Sequence, residues 1–241
     1  MKRLSLYIFS SWISLIGLAQ VADTTQTAPS DSVATLPVEQ APPQLLQPSL
    51  LWDYGKSITT AAGFDQKYEG SLTLLFFERY YLIGEAGKAS LSPENAIENG
   101  SYTSEGEYFR VGGGYMAPIN ATSRLGIGVN YAISTFEDRG SAWIKSSEGV
   151  QDDYQYNFGP RQGEARWIEA AITSESNLRL NKKEPEAKIN QLFSIGFQFR
   201  MRFMSTYDRY SVIDVYSVPG YGRVVNNPNP ALNIYLRFHP F

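Results

Sequence analysis

The stretch Ile189–Phe203, INQLFSIGFQFRMRF, constrains this chain more than any other. Ile189, Phe193, Ile195, Phe197, Phe199, Met201 and Phe203 fall on odd positions, and Asn190, Ser194, Gly196, Gln198, Arg200 and Arg202 on even ones; only Gln191 and Leu192 break the order. Successive side chains of a strand point to opposite faces, so this stretch reads as a strand with one bulky apolar face and one polar face. It runs 15 residues. A strand crossing a membrane needs about 9–11, and most soluble strands run about 5–6.

Composition agrees. Aromatics are 14% and charged residues 19%, with 20 Gly, a balance that suits β structure. The net charge of −3 argues against a general nucleic-acid binder. With no cysteine there is no disulfide framework, thiolate metal site or thiol nucleophile.

The first 19 residues read as a cleavable signal peptide. Lys2 and Arg3 precede an apolar run, and Gly17-Leu18-Ala19 places small residues before a cut after Ala19. Losing those two cations takes the net charge from −3 to −5. Residues 20–49, rich in Thr, Ala, Gln and Pro without apolar periodicity, read as a disordered periplasmic tail. Residues 50–241 read as one domain, with no later run of 18 apolar residues.

Eight strand-like segments fill that domain: Leu50–Ile58, Gln66–Phe77, Tyr80–Leu91, Glu105–Met116, Arg124–Phe136, Glu164–Leu180, Ile189–Met204 and Ala231–Phe238. Their connections alternate. Glu78–Arg79, Ala117–Ser123 and Asn181–Lys188 are short; Ser92–Ser104, Glu137–Gly163 and Ser205–Pro230 are long. Thr59–Asp65, on the long side, is short. Short periplasmic turns and long external loops are the habit of outer-membrane barrels. The expected fold is therefore all-β, an antiparallel up-and-down transmembrane β-barrel of eight strands. Ten strands remain open, because Ser141–Ile144 and Tyr154–Phe158 could pair as a further hairpin.

The alternation also places charges. Arg110, Arg200 and Arg202 share the inward phase of their strands, with Glu85 and Glu169 as candidate partners. An eight-stranded lumen has room for side chains only, so the expectation is a lumen-filling ion network; a narrow polar conduit is the alternative. Catalysis finds little to work with. The one histidine, His239, stands near the carboxyl end, at the periplasmic rim. Glu148, Asp152 and Asp153 lack the spacing of a calcium loop and read as a solvated acidic loop. No catalytic residue, metal or cofactor is expected. The aromatics Tyr207, Tyr210, Tyr216 and Tyr221 of one long loop, and Trp143, Tyr154, Tyr156 and Phe158 of another, suit either a membrane girdle or a partner surface.

Several pieces carry a family resemblance: Tyr68-Glu69-Gly70-Ser71, Tyr81-Leu82-Ile83-Gly84-Glu85-Ala86-Gly87, Gly106-Glu107-Tyr108-Phe109-Arg110-Val111-Gly112, Trp167-Ile168-Glu169 and Val218-Pro219-Gly220-Tyr221-Gly222. With them the region from about Leu50 to Phe241 resembles a family of small outer-membrane barrels of unknown function from Bacteroidota envelopes. The resemblance implies an outer-membrane protein embedded in lipid. The expected role is non-catalytic: the external loops 137–163 and 205–230 would meet an envelope partner. A narrow pore, and a soluble secreted lipocalin-like binder with the phases reversed, remain the other readings.

Overall fold

The computed structural model describes residues 45–55, 66–94, 96–145, 152, 154–184 and 187–240. The expected signal peptide, the tail through residue 44, the connection Thr59–Asp65, and Glu148 and Asp153 lie outside the described residues.

Among the described residues ten strands follow in chain order: β1 Leu46–Asp53, β2 Gln66–Phe76, β3 Tyr80–Leu91, β4 Gly100–Pro118, β5 Ser123–Ile144, β6 Tyr154–Asn177, β7 Phe193–Tyr207, β8 Ser217–Val218, β9 Gly222–Arg223 and β10 Asn229–Phe238. Eight of them, all but β8 and β9, pair antiparallel with their neighbours, and β1 closes on β10 to complete a barrel. Closure leaves no free edge around the ring.

Side chains alternate around the whole ring as they do along β7. Ser194, Gly196, Gln198, Arg200 and Arg202 are buried, while Ile195, Phe197, Phe199 and Phe203 are exposed. Leu72, Phe109, Val129, Ile172, Phe197 and Leu232, from six different strands, are each between 48% and 63% exposed. The apolar set of alternate positions therefore forms a belt on the outside, and the interior holds the buried charges together with two buried apolar clusters. From Ile195 to Phe203 the belt on β7 takes eight rises of about 3.4 Å, which at a tilt of about 40° is a height of about 20 Å.

Inside, bulky side chains lie across from glycines. Tyr81 pairs with Gly114, Tyr108 with Gly87 and Tyr235 with Gly196. In each case a Cβ added to the glycine would meet the tyrosine ring. The glycines make the room that a narrow lumen otherwise lacks.

The structure corrects several expected boundaries. Ile189–Leu192 is not strand: Lys188–Gln191 forms a 3-10 turn, and β7 begins at Phe193, just past the residues that break the alternation. Asn190 is the reason. Its side chain bonds the backbone of Asn181 and Glu184, which folds this connection onto itself. β1 starts at Leu46, inside the expected tail. The stretch Glu137–Gly163 is mostly not loop, because β5 and β6 continue to Ile144 and from Tyr154. Ser141 and Ile144 do pair with Asn157 and Tyr154, as extensions of β5 and β6, so the ring keeps eight strands. β4, β5 and β6 thus run 19, 22 and 24 residues and stand past the ring as a wall.

Candidate functional site

The five charged residues singled out by phase come together in one buried layer across the lumen. Glu85 and Arg110 are direct cross-strand partners, as are Glu169 and Arg202. Arg110 Nη1 lies 2.9 Å from Glu85 Oε2, and its Nε lies 3.0 Å from Glu169 Oε1. Arg200 takes both oxygens of Glu85, at 2.5 and 2.8 Å, and reaches Glu169 at 3.5 Å. Arg202 Nε stands 3.4 Å from Glu169. A sixth member was not anticipated: Glu69 on β2 accepts from Arg110 Nη1 at 2.6 Å and from the Tyr108 hydroxyl at 2.7 Å. Its signal in the sequence is weak, because Tyr68-Glu69-Gly70-Ser71 carries no apolar alternation. Trp167 Nε1 donates to Glu169 at 2.7 Å, and Gln198 accepts from Arg200 and donates to Thr173.

Three guanidiniums thus meet three carboxylates, and the layer is neutral. Isolated charges at this depth would cost several kcal/mol each, roughly; bidentate, mutually bonded pairs offset that cost. The gap beside Arg200, between Glu69, Gln198 and Tyr235, admits about one water. Nearer the short-turn end, Glu175 accepts from the Tyr235 hydroxyl at 3.0 Å and stands 3.1 Å from Arg237 Nε.

Above the ion layer the lumen is closed by the chain itself. The segment between β7 and β10 does not extend outward. It folds into the mouth of the barrel and buries Val215, Val218, Tyr221 and Val224 against Ala89, Leu91, Ala132, Phe136 and Trp167. Gly220, at φ +81°, makes the tight turn between β8 and β9 and lies against the Tyr108 ring. Five side chains of the ring strands donate to carbonyls of this plug: Arg161 to Ile213 at 2.8 Å, Tyr102 to Ser217 at 3.4 Å, Arg110 to Gly220 at 2.9 Å, and Arg202 and Asn229 to Tyr221, each at 2.8 Å. Arg161 is itself held by Asp138 at 2.6 and 2.9 Å, and its guanidinium lies 4.0 Å from the Tyr210 ring centroid. The expectation of 205–230 as a free external loop is thereby corrected. Tyr221 packs edge-on to Trp167 and Tyr216 edge-on to Tyr102, so these aromatics line the plug and form no girdle.

His239 meets Ser194, with Nε2 3.0 Å from Oγ. This is not the geometry of a serine nucleophile. Ser194 is fully buried and donates its proton to Asn177 Oδ1 at 2.9 Å, which leaves the imidazole as the donor. Burial, with Arg237 adding to it, pushes His239 down to about 4. Asp152 is exposed.

Comparison with protein-family models, with curated proteins and with solved structures finds no match to this chain.

Proposed function

We propose that this chain is a non-catalytic outer-membrane β-barrel, closed to ion flow, that holds the wall of β4, β5 and β6 outside the bilayer for an envelope partner. The observation that carries the reading is the continuous apolar belt. A closed sheet with its charges inside and its aliphatic and aromatic side chains outside is at home in hydrocarbon, not in water. The belt argues equally against a lipocalin-like binder, whose greasy face would point inward. The tripled salt bridge and the plug, one above the other, favour a sealed barrel over a pore. In this reading the short turns, the start of β1 and the end of β10 face the periplasm, and a signal peptide over 1–19 delivers the chain there.

Fractionation with a conductance measurement tests this. The protein should be recovered with outer membranes and migrate faster in unboiled than in boiled gel samples. In planar bilayers it should leave the membrane resistance unchanged, even with Val212–Val225 replaced by a Gly/Ser linker, because the ion layer remains below the plug. Recovery from the soluble periplasm would end the membrane assignment. Steady single-channel openings of the wild type would end the sealed one.

A further inference from the structure

The connection from β6 to β7, at the short-turn end of the barrel, carries Arg179, Lys182, Lys183 and Lys188, against Glu184 and Glu186. All four cations are exposed, and among the described residues none is paired with a carboxylate. The wall end is built differently. There Lys88, Arg139 and Arg166, also exposed, are each held by a glutamate, at 3.7, 2.8 and 2.5 Å. Cations left without counter-charges on one surface favour an anionic partner.

The same connection exposes apolar side chains. Leu180 and Ile189, chain neighbours of Arg179 and Lys188, are 54% and 45% exposed. Ile119 is exposed too, on the β4–β5 turn, whose Thr122 carbonyl accepts from the Asn177 N–H at the end of β6 at 2.8 Å. Next to them Phe193, at the start of β7, packs on Phe238, at the end of β10, with ring centroids 5.2 Å apart. Aromatics at the end of an apolar belt are the habit of a membrane boundary. The connection is also held in shape. Asn190 ties it to the backbone of Asn181 and Glu184, and the Leu178 N–H donates to the Phe193 carbonyl at 2.8 Å.

Apolar side chains interleaved with Lys and Arg suit the boundary between acyl chains and headgroups. A polyanion in water, such as a cell-wall polymer, would use the cations and leave Leu180 and Ile189 without a partner.

We propose that the β6–β7 connection is a binding site for anionic phospholipid, of the phosphatidylglycerol class, in the leaflet that faces the short turns. Arg179, Lys182, Lys183 and Lys188 take the headgroup phosphates, and Leu180 and Ile189 enter the acyl boundary. The proposal rests on the barrel reading, which sets this end of the belt at a bilayer surface. It makes the chain seek anionic lipid although its own net charge is −3. A surface carrying that charge evenly would avoid such lipid.

The test is native mass spectrometry of the full chain, folded in neutral detergent and offered equal amounts of phosphatidylglycerol and phosphatidylcholine with matched acyl chains. Retained lipid should favour phosphatidylglycerol at least about tenfold, since each cation near an anionic surface is worth about fivefold. Lys182→Gln, Lys183→Gln and Lys188→Gln together should bring the ratio close to one. Lys88→Gln, Arg139→Gln and Arg166→Gln together remove as many charges at the wall end and should keep the preference. Heat-modifiable gel mobility confirms the fold of each form. Excess inorganic phosphate should leave the retained lipid in place.

A folded barrel that retains both lipids equally overturns the proposal and leaves the barrel reading standing. A chain that stays in solution without detergent overturns both. Loss of the preference in the wall-end variant as well would show a general charge effect and overturn the site, as would displacement by inorganic phosphate. Cosedimentation with purified peptidoglycan that needs the three lysines, with no preference between lipids, would assign the cations to the cell wall instead.

Discussion

At the scale of single residues, the lumen is a test of what buried charge is for. Glu85 is bound to Arg110 and twice to Arg200. Glu85→Gln leaves both guanidiniums short of a counter-charge, and should cost about 3–5 kcal/mol of folding stability in urea titrations from bilayers. The control is Glu164→Gln. It breaks an ion pair to Arg166 whose side chains are 40% and 50% exposed, and should cost about 0–1 kcal/mol. Equal costs would mean that the ion layer is looser than it looks. His239 makes a separate prediction about acid. Its folded value, about 4, lies below the ordinary 6.5, so folding favours the neutral ring. The unfolded chain binds the extra proton, and the stability held above pH 6.5 is lost as pH falls from there towards 4. Stability profiles of wild type and His239→Gln should diverge across that window and run parallel above it. A variant profile that keeps the same slope would show that another group is responsible.

At the scale of elements, side-chain size is traded between paired strands. Gly196 on β7 supports the Tyr235 ring of β10, so Gly196→Val forces the ring aside and should cost about 1–3 kcal/mol, as overpacking does. Gly70 on β2 faces outward with nothing within 4 Å of an added Cβ, and Gly70→Val should fall within about ±0.5 kcal/mol. Unfolding titrations of the pair check this; a costlier Gly70 variant would reverse the assigned faces. The same elements show what was legible in the sequence. Period-two alternation along β4 and β7 marks the inward phase of Arg110, Arg200 and Arg202 in the sequence itself. Their meeting with Glu85 and Glu169 follows from register, which alternation does not encode. Glu69 stayed hidden because Gly70 interrupts the outward face of β2 between Tyr68 and Leu72 and so blurs the phase of the strand. The pairing of Ser141–Ile144 with Tyr154–Phe158 is legible as a candidate hairpin, but its continuity with β5 and β6 is not, because Gly140–Ile144 and Tyr154–Gly163 lose the strict alternation once they leave the ring. The plug was illegible for a deeper reason. Its contacts are wall side chains meeting backbone carbonyls, and a carbonyl is the same at every residue.

At the scale of the whole molecule, inside and outside are exchanged relative to a soluble protein: charges converge on the axis and the apolar residues circle the surface. What that surface touches decides whether the barrel is set in a membrane. Arginine substitutions placed around the belt, one each at Leu72, Val111, Val129, Phe199 and Ile234, sample five strands of the ring. All five side chains are exposed, at 48%, 54%, 59%, 41% and 39%, so in water each change would leave stability within about ±0.5 kcal/mol. Lipid is different: an arginine facing hydrocarbon near the midplane costs about 2–4 kcal/mol. Folding stability of the five variants in phospholipid bilayers is the most direct measurement. Penalties approaching that size on every side of the ring are the predicted result; penalties near zero, or confined to one side, would contradict a barrel set in a membrane.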